Sequence, residues 1–83
     1  MKEVTIYTTR LCPFCYQAKG LLKELNVSFN EISVDFNPQL REEMVAKAGK
    51  TSVPQIWIGD SHIGGCDDLY ALHYAGTLSE TLN

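Results

Sequence analysis

The chain has 83 residues, of which 45% are hydrophobic and 20% charged, with a formal charge of -3 and a pI near 5.2. These values fit one globular domain spanning residues 1–83 and exclude a disordered chain. The seven Lys and Arg are scattered and form no basic stripe, so no nucleic-acid partner is expected.

Glu3-Val4-Thr5-Ile6-Tyr7-Thr8 alternates with period 2 and reads as a strand with Val4 and Ile6 on one face. Thr9-Arg10-Leu11 is a short loop. From Pro13 to Leu25, apolar residues at Phe14, Ala18, Leu21, Leu22 and Leu25 form a helical stripe. Pro13 suits the first helical position, where its missing N–H does no harm, and Asn26 ends the helix. Val27 to Val34 reads as a second strand with a phase shift near Asn30; Val27, Phe29 or Ile32, and Val34 are its candidates for burial. Asn37-Pro38 is an N-cap followed by a proline, opening a helix through Leu40, Met44, Val45 and Ala48 that stops at Gly49. Val53 to Ile58 is a third strand, Gly59-Asp60 a tight turn and Ser61-His62-Ile63 a fourth strand, so this stretch reads as a hairpin. Gly64-Gly65 breaks it. Asp67 to Ala75 is a third helix, stopped by Gly76, and Thr77-Leu78-Ser79-Glu80 has the spacing of a capping box before a short terminal helix.

The resulting order, β-α-β-α-β-β-α, predicts an α/β fold: a four-stranded mixed sheet flanked by helices. Its first two strands run parallel through a helical crossover. No segment reaches the ~18 apolar residues of a membrane-spanning helix. Met1-Lys2-Glu3-Val4 leads straight into the first strand without the apolar core of a signal peptide, so a cytoplasmic location and no membrane partner are expected.

The chemistry lies in Cys12-Pro13-Phe14-Cys15. Cys12 precedes a helix and Cys15 sits in its first turn, close enough for their sulfurs to bond. Cys12 faces the unpaired N–H groups and the positive end of the helix dipole, both of which favour a thiolate. Thiols of Cys-X-X-Cys pairs at such sites have pKa values lowered to roughly 3.5–7.5. Cys15, deeper in the helix, is expected to be more buried. This makes Cys12 the nucleophile and Cys15 the resolving thiol, with Arg10 as an added positive charge. A four-cysteine zinc site would need a second pair, and only Cys66 remains; with His62 and His73 it matches no zinc pattern, so no metal is expected. A structural disulfide closing so short a loop would gain little from closure entropy.

Cys12-Pro13-Phe14-Cys15, Ser52-Val53-Pro54 and Gly64-Gly65-Cys66-Asp67-Asp68 together resemble the three signature blocks of dithiol glutaredoxins, and the resemblance covers nearly the whole chain. It implies a thioredoxin-like fold, a cis Val53-Pro54 bond and glutathione as electron donor. The backbone of Val53 would then pair with glutathione in the manner of a β-bridge; otherwise Pro54 simply opens an edge strand. The N–H of Cys66, after Gly65, and the side chain of Asp67 would hold the γ-glutamyl end; alternatively Asp67 and Asp68 only cap the helix. Cys66 is either a third redox thiol or a small apolar residue. Three positions depart from the family pattern. Thr9 stands where many members carry a Lys that contacts the glycine carboxylate, a task open to Arg10 or Arg41. Phe14 replaces the usual Tyr, and Ser52 replaces Thr. The expected activity is reduction of glutathionyl mixed disulfides and protein disulfides by a monomer. The alternative is an iron–sulfur cluster carrier that uses Cys12 and glutathione between two subunits.

Overall fold

The computed structural model describes residues 1–83. Its elements in chain order are β1 (Val4–Thr8), α1 (Pro13–Glu24), β2 (Asn30–Ser33), α2 (Pro38–Ala48), β3 (Gln55–Ile58), β4 (Ser61–Gly64), α3 (Cys66–Tyr74) and α4 (Leu78–Leu82). The four strands form one sheet in the order β2-β1-β3-β4. β1 pairs parallel with β2 and antiparallel with β3, and β3 pairs antiparallel with β4. This is the mixed sheet that the element order implies.

Strand alternation sorts the apolar residues onto the two faces of the sheet. Val4, Ile6, Ile56 and Ile58 pack with Ala18, Leu21 and Leu22 of α1, Leu69 of α3, and Leu78 and Leu82 of α4. On the opposite face Tyr7, Val34 and Met44 form a smaller cluster, flanked by Ile32, Leu40, Val45 and Trp57. Truncating a fully buried member of the larger cluster, such as Leu22, is expected to cost about 2–5 kcal/mol.

Several boundaries differ from the sequence expectation. The second strand is Asn30–Ser33, not Val27–Val34. Asn26 takes a left-handed φ of 57°, and the Val27 N–H still bonds Leu22 O at 2.9 Å, so Val27 belongs to the turn that closes α1. The phase shift near Asn30 is present: Val27 and Phe29 pack on one cluster, Ile32 and Val34 on the other. The helical stripe of α1 buries Ala18, Leu21 and Leu22, but Phe14 and Leu25 are exposed and Cys15 takes the inward place. β3 begins at Gln55, directly after a cis Val53-Pro54 bond, and not at Val53. α3 begins one residue earlier than expected, at Cys66. Thr77 does not cap α4 with its side chain; its hydroxyl donates to Leu72 O at 3.4 Å.

One polar network ties the start of the active loop to the scaffold. The buried Thr8 hydroxyl donates to Glu31 Oε2 at 2.7 Å, and the same oxygen takes Lys19 Nζ at 3.0 Å. The Thr8 hydrogen bond, helped by Lys19 and opposed by burial, holds the Glu31 carboxyl below its ordinary 4.5. β1, β2 and α1 are thereby joined one residue before the loop that leads to Cys12.

Candidate active site

Cys12 is the N-cap of α1, with extended backbone (φ -138°, ψ 95°), and Pro13 occupies the first helical position. Extended geometry at the N-cap turns the side chain back over the first turn, so Cys12 Sγ accepts the N–H of Cys15 at 3.1 Å. One of the helix's orphan donors is thus spent on the sulfur expected to carry negative charge. Cys12 and Cys15 are joined as a disulfide, their Cα atoms 5.2 Å apart. Both cysteines are buried, Cys15 at 1% exposure and Cys12 at 7%.

The loop before β3 forms the facing wall. Val53 O lies 3.7 Å from Cys12 Sγ, and the Val53 N–H has no partner within the chain. The wall is braced from beneath by Gln55, which is almost fully buried. Its Nε2 donates to Ser52 O at 3.0 Å, and its Oε1 lies 2.7 Å from His62 Nε2.

The N-terminus of α3 closes the third side. Gly64 has a φ of 116°, which favours glycine, and a side chain there would run into the Asp68 carboxylate. Gly65 faces the Pro54 carbonyl, and an added Cβ there would sit 3.5 Å from it, an ordinary contact. Asp68 accepts the Gly65 N–H at 2.9 Å and so caps the helix. Asp67 is exposed and makes no hydrogen bond through its carboxylate, and the N–H groups of Cys66 and Asp67 are unpaired. The Cys66 side chain is buried in the larger core cluster, with its thiol 3.9 Å from Gln17 Oε1. Burial, followed by the nearby Asp67 charge, pushes that thiol above its ordinary 9.0. Cys66 therefore behaves as a small core residue whose backbone, not its sulfur, faces the groove.

These walls enclose a groove of about 250 Å³ lined by Phe14, Lys50, Ser52, Val53, Pro54, Gln55 and Gly65 to Asp68. Six of the residues singled out in the sequence, Phe14, Val53, Pro54, Gly65, Cys66 and Asp67, meet here. Arg10 and Arg41 do not line it. Arg10 lies with its guanidinium over the Phe36 ring, and Arg41 Nη1 donates to Thr51 O at 3.0 Å, bracing the loop. The cation in the groove is Lys50, which sequence reasoning missed. Its signal was position alone: it is the first residue after the Gly49 stop and opens the loop to the cis proline.

A dithiol at a helix start, a cis proline wall opposite it and a mixed sheet beneath define a thiol oxidoreductase of thioredoxin-like fold. Residues 4–63 match the glutaredoxin family model. A glutaredoxin of Pseudomonas aeruginosa is 55% identical over 83 residues, covering 100% of this chain and 99% of the relative. The solution structure of a glutaredoxin from Brucella melitensis superposes with a TM-score of 0.88 at 49% identity, covering 99% of this chain and 89% of that one. A buckwheat glutaredoxin–glutathione complex superposes at 0.87 with 27% identity, covering 95% and 74%. The chain belongs to the glutaredoxin family.

Proposed function

We propose that this chain reduces glutathionyl mixed disulfides and protein disulfides with glutathione as electron donor. One observation carries the reading: the unpaired N–H groups of Val53, Cys66 and Asp67 border the same groove beside Cys12 Sγ. Glutathione is a short extended peptide with a carboxylate at each end. The Val53 N–H suits its backbone, and the α3 amides suit the γ-glutamyl carboxylate. Asp67 would take the α-amino group, Lys50 would take the glycine carboxylate, and Phe14, Pro54 and Gly65 would shape the groove. Support also comes from the buckwheat relative, whose structure is a glutathione complex.

In the proposed cycle the Cys12 thiolate attacks the glutathione sulfur of a mixed disulfide. The old S–S bond breaks, the substrate leaves as a thiolate that takes up a proton, and a Cys12–glutathione disulfide forms. A second glutathione thiolate attacks the bound glutathione sulfur, releases oxidised glutathione and returns the Cys12 thiolate. With a protein disulfide, Cys12 becomes bonded to the protein; Cys15 then displaces it, giving the Cys12–Cys15 disulfide and a reduced substrate. Two glutathiones restore the dithiol.

The test is turnover of a small glutathione mixed disulfide, coupled to glutathione reductase, for wild type, Cys12→Ser and Cys15→Ser. The expected result is no activity in Cys12→Ser and substantial activity in Cys15→Ser. Equal loss in both variants, or an inactive wild type, overturns the reading. We also propose a monomer acting in the cytoplasm, whose glutathione pool is reducing enough to drive the cycle. Sedimentation showing a dimer at micromolar concentration, or fractionation into an oxidising compartment, would count against these.

A further inference from the structure

Phe36 contributes nothing to either core cluster. Its side chain is 93% exposed, yet its backbone holds a φ of 54°. Asn26 shares that left-handed conformation, which asparagine tolerates; for a bulky aromatic residue it is disfavoured. A strained, wetted ring calls for a use outside the free protein. Phe36 is not isolated. The Arg10 guanidinium lies 5.8 Å from its ring centroid, within cation–π range. Leu11, next in the chain, is 96% exposed.

The backbone at Arg10 is tied to Asp35, the residue before Phe36. The Arg10 N–H donates to Asp35 Oδ2 at 2.7 Å, and the Tyr16 hydroxyl donates to Arg10 O at 2.8 Å. The Asp35 carboxylate oxygen is shared with the Ser33 hydroxyl, so it is committed to the turn. The Arg10 side chain has no carboxylate partner, since the chain's one ion pair is Lys19–Glu31.

We propose that Arg10, Leu11 and Phe36 are the docking surface for the polypeptide half of a disulfide substrate. They take a segment carrying an apolar residue and a carboxylate beside its reactive cysteine. This rests on the proposed function and deepens it. When Cys12 is disulfide-bonded to a substrate cysteine, the two Cα atoms stand about 4.4–6.8 Å apart. Each further extended residue reaches about 3.3–3.6 Å. At that reach, substrate residues one or two places from its cysteine come within range of Leu11 and Arg10, which are one and two residues from Cys12. None of the three lines the groove beside Val53, so a docked polypeptide leaves that groove free for the glutathione that follows. Leu11 and Phe36 lose their water only when covered, and a stacked guanidinium keeps its charge for a carboxylate.

The chemistry is that of the protein-disulfide cycle above: Cys12 bonds to one substrate sulfur, the second leaves as a thiolate, and two glutathiones supply the electrons. The test compares symmetric disulfides of two short peptides, one with Glu and Leu preceding the cysteine and one with Lys and Ser there. Turnover is measured with glutathione and its reductase beside that of a small glutathione mixed disulfide. The expected wild-type preference for the Glu-Leu peptide is about tenfold in kcat/KM. Phe36→Gly and Leu11→Ser should each remove most of it and leave the small-substrate rate unchanged. Phe36→Trp should keep it. Phe36→Gly should also raise Tm, because it relieves the left-handed strain.

A wild type active on the small substrate but indifferent to peptide sequence overturns the docking surface alone. The docking surface is also overturned if Phe36→Gly loses both activities together, lowers Tm, or abolishes a dimer seen by sedimentation at assay concentration. A wild type inactive on every disulfide overturns the proposed function, and the docking surface falls with it.

Discussion

Two helices of this chain begin at a cysteine, and the two sulfurs meet opposite environments. In α1 the cysteine is the N-cap: its sulfur folds back over the first turn and receives the Cys15 amide. In α3 the cysteine is one position further on, the cap is Gly65, and the side chain turns into the core with its thiol pushed above the ordinary range by burial. A helix N-terminus alone therefore does not make a reactive thiol. The one-residue offset decides whether sulfur or backbone occupies the positive end. At α1 sulfur does, and the site is chemical. At α3 Asp68 caps the helix, leaving the Cys66 and Asp67 amides free for a ligand.

The largest test of that contrast is alkylation of the reduced protein. Iodoacetamide at pH 7 should modify Cys12 at least about 100-fold faster than Cys66, which should react freely only after unfolding; mass spectrometry of a time course reads both. Comparable rates would erase the distinction. Next is Gly64→Ala, which puts a Cβ into the Asp68 carboxylate at a φ of 116° and so disrupts the start of α3. We expect a loss of about 1–3 kcal/mol, read as a clear fall in Tm. Asp68→Ala removes the cap and keeps the glycine, so the loss should be nearer ~1 kcal/mol, or about 4–8 °C in Tm. The smallest effect concerns pH. Burial, followed by the Asp67 charge, raises the Cys66 thiol above its ordinary 9.0 in the fold, so as the pH rises through that ordinary value the unfolded state loses its proton first and is favoured. Stability that is fully present below pH 9 should decline above it. Cys66→Ala should flatten that decline only in part, since burial also raises the Tyr70 phenol above 10.0. Denaturant melts at pH 8 and pH 10 measure this.

Much of the architecture was legible from periodicity. The alternation of Val4 and Ile6, the Asn37 cap with Gly49 as stop, and the hairpin at Gly59-Asp60 all recur in the structure. The misread positions share a cause. Val27 and Val34 look like strand residues because they are apolar and buried, but burial there comes from a turn and a strand exit, each bonded to a neighbouring element. At the site, the dithiol, Val53 and Asp67 could be found because each sits in a motif. Lys50 and Gln55 could not. Lys50 reaches the groove through the path of the loop before β3, which has no periodicity, and Gln55 opens β3, where strand alternation gives no sign that a polar residue braces a neighbouring loop.

The buried Gln55 amide has a consequence for recognition. Because it grips Ser52 from below while His62 fixes its other end, the wall carrying Val53 is set before anything binds. For the proposed glutathione ligand this means that little of its binding free energy goes into ordering the loop. Under the proposed function the groove acts as a template set in advance, with selection by fit to the Val53 edge and the α3 amides rather than by closure of the protein around its ligand.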